Sequence, residues 1–444
     1  MFRLLLVSLF MFSTFSQAAP ETIWKAGTAK ISIAPDEPVW MAGYAARTRP
    51  SEGIALPVHA KALALEDTSG KKSVLVTADL LGFTARLSQA VAKRAQAKYG
   101  LPRERILFNA SHTHSGPVID RQLAVAYLID DKQWATVDRY TKALEDKLVD
   151  VIGQALKNMQ PASLSFGRTK AGFAANRRKA FGPGPVQHEV PVLRISGNDG
   201  KLLAVVFTYA CHNTTLGADF CKLHGDYAGV AQKQIEDQHP GAVAYFVTGC
   251  GADANPDPRG TLDHVNRYGS ELATAVTEKI SGDLRAVSGP LRTAFYIEEL
   301  DFATPPTRDE LKKKLSHENV YERRHAEEML KIMDRDGRLP TKYSYPLQVW
   351  QFGPNLTLIA MAGEVVVDYN LRLRKELGEE NTWVAGYSND VSAYIPSLRI
   401  LKEGGYEGGG AMIYYVQPGP FAPNVEELIM ERIHKLVKQV RAAK

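Results

Sequence analysis

An even alternation of short apolar β-like runs with amphipathic helical stretches constrains this chain most, and it continues from Thr28 to the C-terminus. Such alternation is the mark of α/β architecture, because every apolar strand face needs a helix or a second sheet to cover it. Strand signals fall at 73–79, 106–110, 162–166, 190–195, 202–210, 243–248, 291–297, 347–352, 356–360 and 383–386. Several are apolar at every position, as strands covered on both faces are. Helical periodicity marks 86–98, 138–158, 230–238, 266–280, 308–334, 366–377 and 425–443. Thr307-Arg308-Asp309-Glu310 has the form of a capping box. The dense charge of the helix it opens makes that helix a solvated surface element with no site chemistry. No repeat, low-complexity tract or linker interrupts the pattern. The expected fold is therefore α/β, with layered mixed β-sheets flanked by helices in one large domain over residues 19–444. A core of that size folds unaided, so any metal site calls first for a functional explanation.

Residues 1–18 have the form of a cleavable secretory signal. Arg3 makes a positive start, and residues 4–15 are apolar but shorter than the ~20 residues that span a bilayer. Ser16-Gln17-Ala18 offers small residues at −3 and −1, which places cleavage between Ala18 and Ala19. The mature chain is then periplasmic or secreted, with no transmembrane segment. That compartment permits disulfides. Cys211, Cys221 and Cys250 allow one bridge and leave one thiol free, with connectivity open. The sequons at Asn109, Asn213 and Asn355 lie in or beside apolar strand patterns and read as chance matches. A net charge of +5, with no basic block, gives no footprint for nucleic acid.

The polar residues that look out of place all follow apolar strands, where α/β enzymes keep their sites. In His112-Thr113-His114-Ser115-Gly116-Pro117, residues i and i+2 of an extended segment share a face, so His112 and His114 converge. Neutral imidazole is the commonest metal ligand. The run 205–211 ends in His212, which reads equally as a ligand or as a core histidine bonded to backbone. His224 and Asp226 follow, and Asp226 could brace a ligand imidazole. The run 243–248 enters Gly249-Cys250-Gly251-Ala252-Asp253-Ala254-Asn255-Pro256. This is either an ordinary tight turn or a glycine turn with amides free for an oxyanion. Glu364 sits in apolar surroundings at a strand-to-helix turn. A carboxylate there must be paired, bind metal or sit on a helix N-terminus. Stretches 386–397 and 404–410 form a long polar, aromatic, glycine-rich loop of the functional kind.

Together these segments resemble the neutral/alkaline non-lysosomal ceramidase family, in its N-terminal catalytic domain. The resemblance rests on His112-Thr113-His114-Ser115-Gly116-Pro117, Ala210-Cys211-His212, Gly363-Glu364, Tyr394-Ile395-Pro396-Ser397 with Tyr406-Glu407-Gly408, and Met41-Ala42-Gly43-Tyr44. It implies one zinc ion held by His112, His212, Glu364 and Tyr394. His114 then faces the substrate as an acid/base or oxyanion group, and Arg177 contributes to the site. Asp253 would orient a ligand imidazole, while Asn255, Gly251 and Tyr406 would hold the substrate.

The implied activity is a secreted or periplasmic zinc-dependent hydrolase. Zinc-activated water would attack the N-acyl amide of a small-molecule or lipid-like substrate other than ceramide itself. Hydrolysis of an ester, lactone or glycan-linked bond is the alternative, as is a non-catalytic secreted binding protein on the same fold. Three departures motivate the shift away from ceramide. Asn255 stands where the family carries a functional serine, and residues 396–401 replace the family's threonine- and glutamate-rich stretch with its tyrosine. The chain also ends where the catalytic domain is expected to end, without the family's immunoglobulin-like domain.

Overall fold

The structure is a computed structural model and describes residues 24–442. Residues 1–18, expected to be a secretory signal, lie outside the described residues. The first strands are β1 (Trp24–Ser32), β2 (His59–Glu66), β3 (Lys72–Ala78), β4 (Ile106–Ala110), β5 (Gln160–Lys170) and β6 (Ala174–Asn176). They are followed by β7 (Glu189–Gly197), β8 (Leu202–Tyr209), β9 (Val243–Thr248), β10 (Ala254–Pro256) and β11 (Arg285–Val287). Then come β12 (Leu291–Asp301), β13 (Lys342–Phe352), β14 (Leu356–Met361), β15 (Glu364–Val365), β16 (Thr382–Ala385) and β17 (Tyr394–Ile395). The helices are α1 (Ala85–Tyr99), α2 (Asp131–Lys157), α3 (Asp226–Gln238), α4 (Leu262–Ser281), α5 (Arg308–Lys314), α6 (Val320–Asp336), α7 (Val367–Leu377), α8 (Leu398–Glu403) and α9 (Val425–Ala442).

The larger sheet runs β4-β3-β2-β1-β5-β7-β8-β9, with β11 beside β5. Its β3–β4 and β8–β9 pairs are parallel, and β2 pairs antiparallel with both β1 and β3. The smaller sheet runs β12-β13-β14-β16 and closes with a parallel β14–β16 pair. Two short ribbons, β10–β6 and β15–β17, sit apart from both sheets.

Period-two alternation explains why the strands are apolar on both faces. In β3, Val74, Val76 and Ala78 pack on Leu87 and Val91 of α1 and Leu144 and Leu148 of α2. Leu75 points the other way, into a layer shared with Trp350, Leu358 and Trp383 of the smaller sheet. In β8, Val205 and Phe207 meet Tyr227 of α3 and Leu272 of α4, whereas Val206 enters the same intersheet layer. In β14, Leu358 faces the larger sheet and Ile359 faces Tyr369 of α7 and Ile433 of α9. The layers are thus helix, sheet, sheet, helix, the mixed α/β architecture expected from the sequence. Each fully buried aliphatic side chain contributes roughly 1.5–3 kcal/mol.

Four sequence expectations change. The helix expected at 308–334 is two helices, because Asn319 caps α6 through Tyr321 N and interrupts the helix before it. It is not purely solvated, since Leu311, Ala326 and Met329 are buried. β1 and β2 carried no strand signal, because alanine and lysine are poor strand formers. Lys61 in β2 is nonetheless buried, with Nζ 3.0 Å from Gln232 Oε1, 2.7 Å from Glu236 Oε1 and 2.8 Å from the Ala244 carbonyl. All three cysteines are free and buried, so the possible bridge is absent. Asn109 and Asn213 are buried, whereas Asn355 is exposed in the turn between β13 and β14.

The larger sheet coils until its edges touch, where a buried amide and the Thr248 hydroxyl, which donates to the Ala110 carbonyl at 2.6 Å, join them. Asn109, near the end of β4, donates from Nδ2 to the Gly386 carbonyl at 2.8 Å and to Ser388 Oγ at 3.1 Å. Its Oδ1 accepts Thr248 N from the end of β9 at 2.8 Å. The loops leaving β4, β9 and β16 therefore start from one point. Asn109→Asp turns the donating Nδ2 into an acceptor facing a carbonyl. It is expected to cost at least about 2 kcal/mol in urea unfolding, and an unchanged midpoint would show that the amide carries no stability.

Candidate metal centre

Two histidines are delivered by the β4 loop and one by the end of β8. His112 adopts a left-handed backbone, φ 59°, rather than the extended one expected from the sequence. Such a conformation is uncommon outside glycine and tends to persist where the surroundings over-determine it. The outcome is still convergence, with His112 Nε2 and His114 Nε2 3.2 Å apart. His112 Nδ1 lies 2.6 Å from the Leu81 carbonyl, and His212 Nδ1 lies 2.8 Å from the Gly251 carbonyl. Glu364 and Tyr394 are brought together because β15 and β17 pair in parallel with these two residues in register. Glu364 Oε2 lies 3.2 Å from His112 Nε2 and 3.0 Å from His212 Nε2. Tyr394 OH lies 3.4 Å from His212 Nε2 and accepts Arg177 Nη2 at 3.0 Å. Arg177 is anchored by Glu407 Oε1 at 2.7 Å and stands over the rings of Tyr394 and Tyr406 at 5.7 and 5.6 Å. Tyr406 is 46% exposed.

The polarity of these contacts is decisive. A ring nitrogen facing a carbonyl must carry the proton, so a neutral ring at either position presents a bare Nε2. Burial, reinforced by Arg177, pushes the His212 pKa down to about 4, so the ring is neutral at pH 7. Both bare nitrogens face the same oxygen, Glu364 Oε2. A single proton on that oxygen satisfies one contact and leaves the other as lone pair against lone pair. A cation among these atoms satisfies both. The nitrogen and oxygen donors suit zinc, and each imidazole has the backbone brace usual for a ligand histidine.

His114 belongs to the same cluster, since ligand atoms of His112, His114 and His212 all lie within 4.8 Å of one another. It differs in that its Nδ1 has no hydrogen-bond partner among the described residues. The ring lies against Gly43, φ 99°, where a Cβ would come within 2.4 Å of Nδ1. Burial first, and then His112 and His212, hold the His114 pKa well below its ordinary value, so this ring is also neutral at pH 7.

Several expected contacts are not made. Asp253 touches no imidazole: Oδ1 accepts Val367 N at the start of α7, and Oδ2 accepts Asn176 Nδ2. Carbonyls brace the imidazoles in its place. Asp226 likewise serves backbone, accepting Leu216 N and Tyr227 N. The amides of Gly249 and Gly251 are spent on the carbonyls of Tyr209 and Gly249, so they are not an oxyanion hole. Gly251 contributes its carbonyl instead, and a Cβ there would meet Cys211 N at 2.4 Å. Asn255 is half-buried, its Oδ1 accepting Thr214 Oγ1 at 3.3 Å. It follows Ala254, whose carbonyl holds His212 N.

Three side chains at the site had no role assigned from the sequence. Tyr415 donates its hydroxyl to Glu364 Oε1. Tyr387 OH lies 3.5 Å from Glu364 Oε2, and its ring centre is 4.4 Å from that of His112. Glu407 joins Arg177 to Arg178, whose Nη1 lies 2.6 Å from Oε2. Tyr415 also lines a cavity of about 1250 Å³ with Tyr127, Trp134, Ile332 and Arg324.

Glu364→Gln tests the polarity argument. The amide nitrogen can donate to both bare Nε2 atoms while its oxygen still accepts from Tyr415. Metal-free protein at pH 7 is expected to gain about 1 kcal/mol of stability by denaturant titration. A loss of stability would mean that the imidazoles are protonated and paired with the carboxylate.

The family model for neutral/alkaline non-lysosomal ceramidase, N-terminal, matches residues 26–262, which hold all three clustered histidines but neither Glu364 nor Tyr394. Neutral ceramidase B of Dictyostelium discoideum is 25% identical over 244 residues, 49% of this chain and 33% of that protein. Neutral ceramidase of Drosophila melanogaster is 24% identical over 291 residues, 61% of this chain and 41% of that protein. These alignments span well under half the length of either relative. The crystal structure of neutral ceramidase from Pseudomonas aeruginosa superposes with a TM-score of 0.76 at 19% identity, covering 95% of this chain and 75% of that one. The family model covers more than half of the sequence, and the chain belongs to the neutral/alkaline non-lysosomal ceramidase family.

Proposed function

We propose that this protein is a zinc-dependent hydrolase that cleaves the N-acyl amide bond of a lipid-like substrate other than ceramide. The observation that carries the metal reading is the pair of bare imidazole nitrogens facing one buried carboxylate oxygen, 3.2 and 3.0 Å away. His112 Nε2, His212 Nε2, Glu364 Oε2 and Tyr394 OH would hold the ion. Bound zinc would supply Lewis acidity, lowering the pKa of water and polarising a carbonyl oxygen. The comparisons support the hydrolase class, since the relatives are named as ceramidases.

The chain's own residues then divide the remaining work. His114 is neutral at pH 7 and its Nε2 sits beside the cluster, so it can take up or release a proton there. Arg177 is held by Glu407 and donates to Tyr394 OH, which fixes the phenol and puts positive charge beside developing negative charge. The exposed ring of Tyr406 offers an apolar face to the substrate. Asn255 carries an amide and no hydroxyl nucleophile, so no acyl–enzyme forms at that position and water accepts the acyl group. Secretion by means of residues 1–18 belongs to the same proposal. Among the described residues no helix is long and apolar enough to cross a membrane.

Elemental analysis of purified protein is expected to give one zinc per chain, lost in His112→Ala and Glu364→Ala. Full zinc in both variants would overturn the ligand assignment. In a screen of ceramide, short N-acyl amides and esters, non-ceramide amides are expected to turn over fastest. Faster ester cleavage would favour the ester reading. No turnover with zinc bound would leave a binding protein. Asn255→Ala is expected to lower kcat/KM about tenfold, equivalent to about 1.4 kcal/mol, and unchanged kinetics would remove Asn255 from the mechanism.

A further inference from the structure

Glu364 has two carboxylate oxygens in different surroundings. Oε2 faces the bare Nε2 atoms of His112 and His212, with the Tyr387 hydroxyl at 3.5 Å. Oε1 accepts the hydroxyl of Tyr415, a residue 51 positions along the chain. Both side chains are buried, and the Tyr394 and Tyr415 rings stand 6.2 Å apart at 66°. Tyr415 follows the single helical turn Gly410–Ile413, and that loop is closed by a bond from Gln417 N to the Met412 carbonyl at 3.0 Å. The hydroxyl thus comes from an element separate from every strand end that carries a histidine.

We infer that Tyr415 is a positioning residue that makes Glu364 a one-oxygen donor by occupying Oε1 and leaving Oε2 alone to face the cation. A carboxylate pivots easily about its last bond. Without a donor, Oε1 would be a buried charged oxygen with no partner, a costly state. The group would turn to share both oxygens with the ion. The Tyr415 hydroxyl blocks that turn, and it keeps the donor count low enough for water or substrate to find a place. Partners one layer out from a ligand typically change metal affinity 10- to 100-fold. This inference rests on the metal reading proposed above.

The test is Tyr415→Phe, which keeps the ring and removes the hydroxyl. Tyr127→Phe is the control. Tyr127 lines the same cavity, but its hydroxyl accepts Gly43 N at 2.8 Å and touches no carboxylate. Zinc affinity by chelator competition is expected to fall at least tenfold in Tyr415→Phe and to stay within twofold in Tyr127→Phe. Visible absorption of the cobalt-substituted protein is expected to weaken in Tyr415→Phe alone, because a second carboxylate oxygen raises the coordination number. Circular dichroism of both variants reports whether they fold. Zinc affinity and cobalt spectrum like those of the parent in Tyr415→Phe would overturn the inference and leave the metal reading standing. Equal loss in both variants would assign the effect to packing and also overturn it. A parent protein that binds no zinc would remove both.

Discussion

The buried side-chain amide of Asn109 is the interaction on which the rest of this structure depends. A twisted sheet can coil in many ways, and its edge strands have no intrinsic reason to meet. Here they are tied by the amide, which accepts from Thr248 N of β9 and donates to the Gly386 carbonyl beyond β16, and by the Thr248 hydroxyl, which donates to the Ala110 carbonyl of β4. Three loops leave that point. The first carries His112 and His114, the second carries the Gly251 carbonyl that braces His212, and the third carries Tyr387 against the His112 ring. An amide can do this because it holds a donor and an acceptor in one rigid plane, which a carboxylate of the same shape lacks.

The second constraint is electrostatic. Carbonyl braces decide which nitrogen of each imidazole is bare, and burial keeps His212 neutral. The carboxylate oxygen between the two imidazole nitrogens is therefore an arrangement that a cation would satisfy. A protein normally avoids such buried frustration, and where it is tolerated the reason is generally functional. Around it the chain places phenols and one guanidinium: Tyr415 on Oε1, Tyr387 near Oε2, and Arg177 on Tyr394. These groups orient the inner donors without adding further carboxylate to the cluster. Arg177 has its own counter-charge in Glu407, so positive charge near the site does not stand unpaired.

Much of the fold was legible in the sequence. The strands at 106–110 and 243–248 agree with β4 and β9 to the residue, because their apolar runs end abruptly in polar loops. β1 and β2 were not legible: Lys61 is a buried side chain whose partners on α3 and β9 lie more than 170 residues away. The break between α5 and α6 was hidden because continuous charge reads as continuous helix, while a local cap by Asn319 overrides it. Within the site, His112 and His114 were legible because they are two residues apart. The extended geometry assumed for them was wrong, and a left-handed His112 reaches the same convergence by another path.

The sequence by itself determined the alternation that forces sheets between helices, and the strand-end positions of His112, His212 and Glu364 as places where polar chemistry meets an apolar core. Both are local properties, written in spacing and in the contrast between neighbours. The resemblance to a known family added Tyr394 and Arg177 to that set. Only the tertiary structure decided that Asp253 braces α7 instead of an imidazole, that the glycine amides are already spent, and that Tyr415 holds Glu364. Those outcomes depend on which donors and acceptors come within about 3 Å of one another. Segments far apart in the chain reach that distance only once the whole core has closed.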